Sequence, residues 1–431
     1  MNNIINIGRS STDLSLNIED IVAPDMRHCI AQLDNPRGNL LDAYIQSVKE
    51  LATRQILMVE IKDTHFEYLD GQVKLVLNTH SSFNHPDYPR LECSLTNTAI
   101  TNIASASRSY NGGALSVHFV RECLLDAGLI ESEAGLNALN EKWHQNDFVE
   151  SKEKYALKRP RLLSARVMLN QDGSYRLAFL GSDKYRPIEN KFILDAVLPE
   201  LAKQQRVGFK ISSFKNSDDI TTLNFKSESL TDTPVEGSLV AYGVNIKNSC
   251  TGKSGVLISP LVITCYCDNG QTMATSGNVR KNHVQRAVTD MGIISAETIE
   301  SDNRTVGLAL RDATANVVNE DNFRAEIELF KEVGKELYTA EFQSTDRYAE
   351  VCSRVQKELK LSDVDGQRMR DELIKAKANQ DGVAGKPLSN YDIMQAITAL
   401  QHSATADDHQ IYMQAGQKFV ANKTLRERLV A

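Results

Sequence analysis

The sequence predicts an α+β protein, with a central, mostly antiparallel sheet carrying packed helices, followed by a helical C-terminal section. Three observations predict it. In the middle of the chain Tyr175, Leu177 and Phe179 alternate with Ser174, Arg176 and Ala178, the two-residue period of a sheet with one buried face. Beyond about residue 282 the period lengthens, and Phe323, Ile327, Phe330 and Leu337 form an apolar stripe among charged neighbours, as an amphipathic helix requires. Composition allows a large core: the 431 residues are 41% hydrophobic and 24% charged, and 10 prolines and 23 glycines are too few for long low-complexity linkers.

Residues 1–150 read as a mixed α/β region. Leu41, Ile45, Val48 and Ala52 fall at helical spacing within 38–54, and a strand-forming run over 55–62 follows. Val73, Leu75 and Leu77 alternate through 71–78, while Asn84, Pro86, Asp87 and Pro89 mark a loop over 80–90 and Asn111-Gly112-Gly113 a further break. Helices are expected at 114–129 and 132–144, the second carrying Trp143, the only tryptophan. Residues 151–285 read as a basic, strand-rich core domain. A helix over 188–205, built on Phe192, Val197 and Leu201, precedes strands at 207–212, 222–226, 239–246 and 256–266. Pro260 in the last run implies a bulge or an edge, because proline cannot donate to the ladder. Residues 286–431 read as a helical region, with Tyr348, Cys352, Val355 and Leu359 repeating the stripe. Ser362-x-x-Asp365 and Ser389-x-x-Asp392 resemble capping boxes with Asp in place of Glu or Gln, so helices should start before Gln367 and Ile393.

No apolar run reaches the roughly 18–20 residues needed to cross a bilayer, and the first ten residues carry neither a basic leader nor an apolar signal core. A cytoplasmic protein without a membrane partner is expected. Seven cysteines scattered over the chain (Cys29, Cys93, Cys123, Cys250, Cys265, Cys267 and Cys352) argue for reduced thiols rather than a disulfide framework.

Several patterns that could carry chemistry fail on spacing. Gly252-Lys253-Ser254 resembles the end of a phosphate loop, but the required earlier glycine is Lys247, and a strand rather than a helix follows; a polar hairpin connection is expected instead. Cys265 and Cys267, with Cys250 and His283 nearby, are zinc-ligand types at a spacing unusual for zinc, so buried structural cysteines are the expectation. His118 falls on an amphipathic helix, and the pairs Asp218-Asp219 and Asp407-Asp408 read as solvated loop residues or helix starts. No catalytic residue, metal or cofactor is expected.

The charge distribution offers a better lead. Net charge is −7, yet residues 152–215 carry +8 and the remainder −15. Lys158, Arg159, Arg161, Arg166, Arg176, Lys184, Arg186, Lys203, Arg206, Lys210 and Lys215 are interleaved with Tyr155, Tyr175, Tyr185, Phe209 and Phe214, and a second cluster, Arg280, Lys281, His283 and Arg286, opens the helical section. Cations neutralise phosphates while exposed rings stack on unpaired bases. The alternative is a solvated sheet face above core aromatics.

Three stretches resemble a family of phage and plasmid proteins known as a domain of unknown function, number nine hundred and thirty-two in its series. Tyr185-Arg186-Pro187-Ile188-Glu189-Asn190 is similar to its Tyr-x-Pro-Ile-x-Asn block. Asn248-Ser249 with Thr251-Gly252, then an apolar strand and Cys267-Asp268-Asn269-Gly270, is similar to its Asn-Ser-x-Thr-Gly and Cys-x-Asn-Gly pattern, with Arg280 to His283 as the basic residue and histidine that follow. Residues 391–398 with Ala415-Gly416 resemble its C-terminal helices. The resemblance spans about 160–420 and implies a mobile-element origin in a bacterial cytoplasm and an α and β fold, with no activity to carry over. The expectation is a non-enzymatic, oligomeric nucleic-acid-binding protein, a single-stranded DNA binding or annealing factor. Its phosphate contacts would come from Lys158, Arg159, Arg161, Arg176, Lys184, Arg186, Lys253 and the Arg280, Lys281, His283 and Arg286 cluster, with Tyr175 or Tyr185 stacking on bases. The alternatives are an accessory protein that binds a host or phage protein through its acidic helical section, and an enzyme with a zinc or thiol centre around Cys265, Cys267 and His283.

Overall fold

The computed structural model describes residues 54–78, 90–106, 133–144, 148–149, 159–182 without 161 and 171, 188, 190–264 without 218, 237, 250 and 252, 271–274, 279–281, 296–339 without 319, 345–378, 387–404 and 409–430, together with Leu33, Leu40, Tyr44 and Leu124. The first part yields strands β1 (Arg54–Glu60), β2 (Thr64–Leu69), β3 (Gln72–Asn78) and β4 (Arg90–Leu95), helices α1 (Asn97–Ala106) and α2 (Glu133–His144), and strands β5 (Phe148–Val149), β6 (Arg159–Pro160), β7 (Leu162–Leu169) and β8 (Tyr175–Ser182). Six of these strands form one sheet in the order β1-β7-β8-β4-β3-β2, and β5 pairs with β6 alone. Only β4 and β8 run parallel in that sheet. The β2–β3 turn is Asp70-Gly71, both at positive φ (53° and 77°), the backbone that a tight two-residue hairpin needs. One face of the sheet buries Leu75, Leu77, Cys93, Ala165, Val167 and Leu177 against Ile100 and Ile103 of α1 and Leu139 and Trp143 of α2. Trp143 meets Phe66 edge-on at 5.7 Å, and its Nε1 donates to Thr64 Oγ1 (2.7 Å), so the buried indole loses no hydrogen bond.

Helix α3 (Asn190–Lys203) leads into a second sheet of β9 (Phe209–Asn216), β10 (Ile220–Val235), β11 (Ser238–Ser249), β12 (Val256–Thr264), β13 (Gln271–Ala274) and β14 (Val279–Lys281). Its order is β13-β12-β11-β10-β9, with β14 also on β12, and every pairing is antiparallel. Pro260 has its expected edge. On the outer side of β12, β14 pairs with Val256–Ile258 and β13 with Leu261–Thr264, so the missing N–H falls where no outer partner is registered.

Helices α4 (Ala296–Val317), α5 (Glu320–Lys335), α6 (Thr345–Leu359), α7 (Asp363–Ala378), α8 (Asn390–Ala399), α9 (His409–Ala421) and α10 (Lys423–Val430) complete the chain. Both expected capping boxes form: the Ser362 and Ser389 hydroxyls accept from the Asp365 and Asp392 N–H groups, and each Asp carboxylate accepts from its serine's backbone N–H. The helices share one core with the second sheet, in which Val197, Phe225, Tyr242, Val244, Phe330, Val355, Ile397 and Phe419 are all buried. The last helix is fixed by Arg426, 2% exposed, whose guanidinium holds the two Glu336 oxygens at 2.8 and 3.1 Å.

The α+β class and the helical C-terminal part are as the sequence predicts, but two sheets stand where one central sheet was expected. The boundary drawn at 150/151 runs through the first sheet, since β7 pairs with β1 and β8 with β4. The boundary at 285/286 divides a single apolar core. Alternation reports which face of a strand is buried, not which strand lies beside it, and so both boundaries were placed by composition. Leu40, Tyr44 and Leu124 are helical, as expected; the rest of the helices expected at 38–54 and 114–129, the loop at 80–90 and Asn111-Gly112-Gly113 lie outside the described residues. Among the described residues no helix is long and apolar enough to cross a membrane.

Gly243 gives a test of the second sheet. A Cβ there would sit 2.6 Å from the Phe225 carbonyl oxygen and 2.7 Å from Ile263 Cδ1. Because a backbone carbonyl in a ladder cannot step aside, Gly243→Ala should destabilise the protein by about 1–3 kcal/mol, read as a lower urea midpoint.

Candidate functional site

Ile188, Asn190, Asn248 and Thr251, the described members of the stretches quoted above that reach this region, lie in or beside one polar cluster between the two sheets. Ser217 opens the turn between β9 and β10, and its hydroxyl accepts from the N–H groups of Asp219 (3.3 Å) and Ile220 (3.0 Å), which fixes Asp219 at the turn. Thr98 Oγ1, from the first turn of α1, donates to Asp219 Oδ2 (2.6 Å), and Thr251 Oγ1, from the β11–β12 connection, donates to Oδ1 (2.8 Å). Lys253 Nζ lies 3.0 Å from Oδ2. Burial by itself would raise the Asp219 carboxyl, but hydrogen bonds from Thr98, Lys253 and Thr251 and the Lys253 charge outweigh it and hold the group below its ordinary value. Beside this cluster, Asn248 Nδ2 donates to the Ile188 carbonyl (2.9 Å) and to Asn190 Oδ1 (2.8 Å), and Asn190 Nδ2 donates to Thr221 Oγ1 (3.3 Å). Ile188 and Asn190 of the first stretch therefore meet Asn248 of the second.

Asp219 corrects the expectation of a solvated loop carboxylate: its side chain is 14% exposed and joins three segments of chain. The Gly252-Lys253-Ser254 region is the expected hairpin connection between β11 and β12, and Lys253 is committed to Asp219 there. Its position is structural, which removes it from a phosphate track. Gly252, Cys250, Cys265, Cys267, Asn269, Gly270, His118, Asp218, Asp407 and Asp408 lie outside the described residues. Cys93 and Cys352 are buried, and burial pushes both thiols up to about 12, so neither is a ready thiolate. No group of metal-ligating side chains occurs among the described residues.

Of the basic residues, Lys158, Arg161, Lys184, Tyr185, Arg186, His283 and Arg286 lie outside the described residues, and Arg159, Arg280 and Lys281 are placed by backbone only, on β6 and β14. The remainder do not form one band. Arg166 and Arg176 belong to the first sheet, whereas Lys210 and Lys215 belong to the second. Arg166 is 3% exposed; Lys203 pairs with Glu200, and Lys215 Nζ donates to the carbonyls of Gln401 (2.8 Å) and Ala404 (3.0 Å), where burial lowers its pKa. Of the rings expected to stack on bases, Tyr155 and Tyr185 lie outside the described residues, and the other three are committed to packing. Phe209 is buried, Phe214 packs on Tyr44 at 5.7 Å, and Tyr175 packs against the first core.

The register nevertheless gathers lysines that sequence windows cannot group. On the second sheet Leu223, Phe225, Tyr242 and Val244 face the core, so the alternate positions share the opposite face. Across it, Lys215 is registered with Thr222, Thr222 with Lys247, Lys247 with Leu257, and Leu257 with Arg280. Two residues along, Ser213, Asn224, Asn245 and Ser259 form the next row, tied by Asn224 Nδ2 to Ser213 Oγ (2.9 Å) and Asn245 Nδ2 to Asn224 Oδ1 (2.7 Å). Lys210 stands directly opposite Lys226 in the row after that. Strands β9, β11, β12, β13 and β14 contain no Asp or Glu. Lys226 stands outside the basic stretch and joins Lys210 only through strand pairing, which no sequence window reports, whereas Lys247 on the same face is only 7% exposed.

No family model matches the sequence, and neither a curated protein nor a solved structure matches it.

The Asp219 cluster makes a pH-dependent prediction. A carboxyl held below its ordinary value contributes stability that is present above the unfolded pKa and lost as pH falls through the folded one. Asp219→Asn should therefore cost about 1–3 kcal/mol at pH 7, and the gap from the wild type should close below about pH 4. Urea midpoints measured from pH 7 to pH 3 test this; a gap independent of pH would remove the charge from the account.

Proposed function

We propose that the protein is a non-enzymatic nucleic-acid-binding protein that engages the phosphate backbone through the lysine-bearing face of its second sheet. The observation that carries this reading is the placement of Lys210 directly opposite Lys226, both half-buried, on the face of the second sheet turned away from the Phe225 core, where β9 carries no Asp or Glu and β10 contributes Glu228 two residues beyond Lys226. A polyanion laid across two lysines from adjacent strands gains a phosphate contact from each.

With Phe209, Phe214 and Tyr175 committed to packing, contacts to phosphate rather than base stacking carry the affinity. Sequence preference should accordingly be weak. The resemblance to phage and plasmid proteins supports a mobile-element setting in a bacterial cytoplasm, where replication and recombination expose single-stranded DNA. Recognition of a host or phage protein by the helical section has less in its favour, because the described helices after residue 320 direct their apolar faces at the second sheet and leave only Leu337, Val364 and Ile411 as scattered exposed apolar side chains.

Binding to labelled single-stranded DNA, duplex DNA and RNA oligomers should be measured between about 50 and 200 mM salt. The logarithm of the affinity should fall linearly with the logarithm of salt concentration, by about 0.7 per phosphate contact on a single strand. A double Lys210→Gln, Lys226→Gln variant should lower that slope by about 1–1.5 while its stability in urea stays within about 0.5 kcal/mol of the wild type. Affinity insensitive to salt, or an unchanged slope in the variant, would exclude this face as the binding surface.

A further inference from the structure

The first sheet ends on β2, and a helix occupies the outer side of that strand where a further strand would otherwise fit. The tight Asp70-Gly71 turn makes Leu69 and Gln72 a hydrogen-bonded pair, so Leu69, Glu67 and His65 bond inward to β3 while Tyr68, Phe66 and Thr64 turn their backbone groups outward. Side chains of α2 meet those outward groups. Asn140 Oδ1 accepts from the Phe66 N–H (2.7 Å), and Asn140 Nδ2 donates to the Phe66 carbonyl (2.9 Å). One turn further on, His144 Nε2 donates to the Thr64 carbonyl (2.8 Å), and Trp143 Nε1 donates to the Thr64 hydroxyl.

A carboxamide that accepts from and donates to the backbone of one residue reproduces the two bonds that a neighbouring antiparallel strand would make to it. Asn140 and His144 stand four residues apart with Trp143 between them, so a single helix face supplies every one of these contacts. Helix α2 packs principally on β2 and on the turn before it, Ile61–Asp63, and so it is this edge that holds the helix in place. The strand beneath is suited to pairing with itself. An antiparallel second copy of β2 centred on Phe66 would set the two Phe66 residues in a hydrogen-bonded pair, with Thr64 opposite Tyr68 and His65 opposite Glu67, an imidazole against a carboxylate on either side. Such a pairing has two-fold symmetry and closes at two copies.

We propose that α2 is an intramolecular cover that stands in for a strand, and that it keeps the β2 edge from pairing with β2 of a second copy of this chain. Open edges invite this kind of association, and Asn140 is the residue that closes this one. The first sheet carries the device by itself, so it does not depend on the lysine face of the second.

The test combines hydrogen exchange at the Phe66 amide with sedimentation of the full chain over a range of concentrations. In the wild type the Phe66 amide should exchange as slowly as those of His65 and Glu67, which are bonded within the sheet. Asn140→Ala should speed exchange at Phe66 by roughly tenfold relative to those two and should form dimers at concentrations where the wild type does not. Adding Tyr68→Pro to that variant should abolish the dimer, because proline removes an outward N–H and leaves the β2–β3 ladder its bonds. Fast exchange at Phe66 in the wild type would remove the cover. An Asn140→Ala variant that sediments as the wild type does, or one whose association survives Tyr68→Pro, overturns the self-pairing. Should Asn140→Ala fail to fold, Asn140→Asp keeps the acceptor for the Phe66 N–H, loses the donor to the Phe66 carbonyl, and is read by the same two measurements with the same outcomes.

Discussion

Most of the described structure depends on covering the apolar face of the second sheet. Phe209, Phe225, Tyr242, Val244 and Ile246 present a surface that water would penalise at about 25 cal/mol per Å², and helices from both sides of the sheet in sequence converge on it. Helix α3 comes from before the sheet and α4, α5, α8 and α9 from after it, with α6, α7 and α10 packed on those helices. Tyr242 shows how closely the layers fit: its ring lies 5.4 Å from Phe323, and its hydroxyl donates to the Val317 carbonyl at the end of α4. The helical section is therefore no appendage. The buried Arg426 holds the half-buried Glu336 in a bidentate pair that ties the last helix back to the end of α5, and removing Glu336 would strand the buried guanidinium.

With one face devoted to that core, polar side chains of the sheet collect on the other face and at its ends. Asp219 illustrates the second case. A turn carboxylate would ordinarily be left to solvent, yet here donors from α1 and from the β11–β12 connection close on it, so that a single charge bridges the two sheet units. Asn248 and Asn190 extend the contact with neutral groups that each satisfy the other's amide. These side chains come from stretches far apart in sequence that share no secondary-structure element, which gives a physical reason for motif residues to be separated and yet interdependent.

Local features were legible in the sequence, and pairings were not. The capping boxes at Ser362 and Ser389 could be read directly, because a cap is decided within four residues. Strands around Tyr175, Thr222, Leu239 and Val256 were likewise visible from alternation, and the hairpin at Lys253 from its polar composition. The division into two sheets was hidden, since nothing in β1 announces that its neighbour is β7. The same limit scattered the basic residues: a count along the chain grouped Arg166 with Lys215, which belong to different sheets, and separated Lys210 from Lys226, which face each other. Aromatic rings in that stretch looked available for stacking, although Phe209 and Phe214 are the apolar half of their strand.

The topology of the first sheet also bears on how the chain is made. The β2–β3 hairpin closes a loop of two residues and can form as soon as it leaves the ribosome. Its companions must wait, because β1 pairs with β7 and β4 with β8, across the whole intervening length of chain. Until Ser182 has been synthesised, two strand edges with open hydrogen-bonding groups remain without their native neighbours. This unit therefore cannot close until 182 of the 431 residues have been made, and the nascent chain is most in need of chaperone cover during that interval.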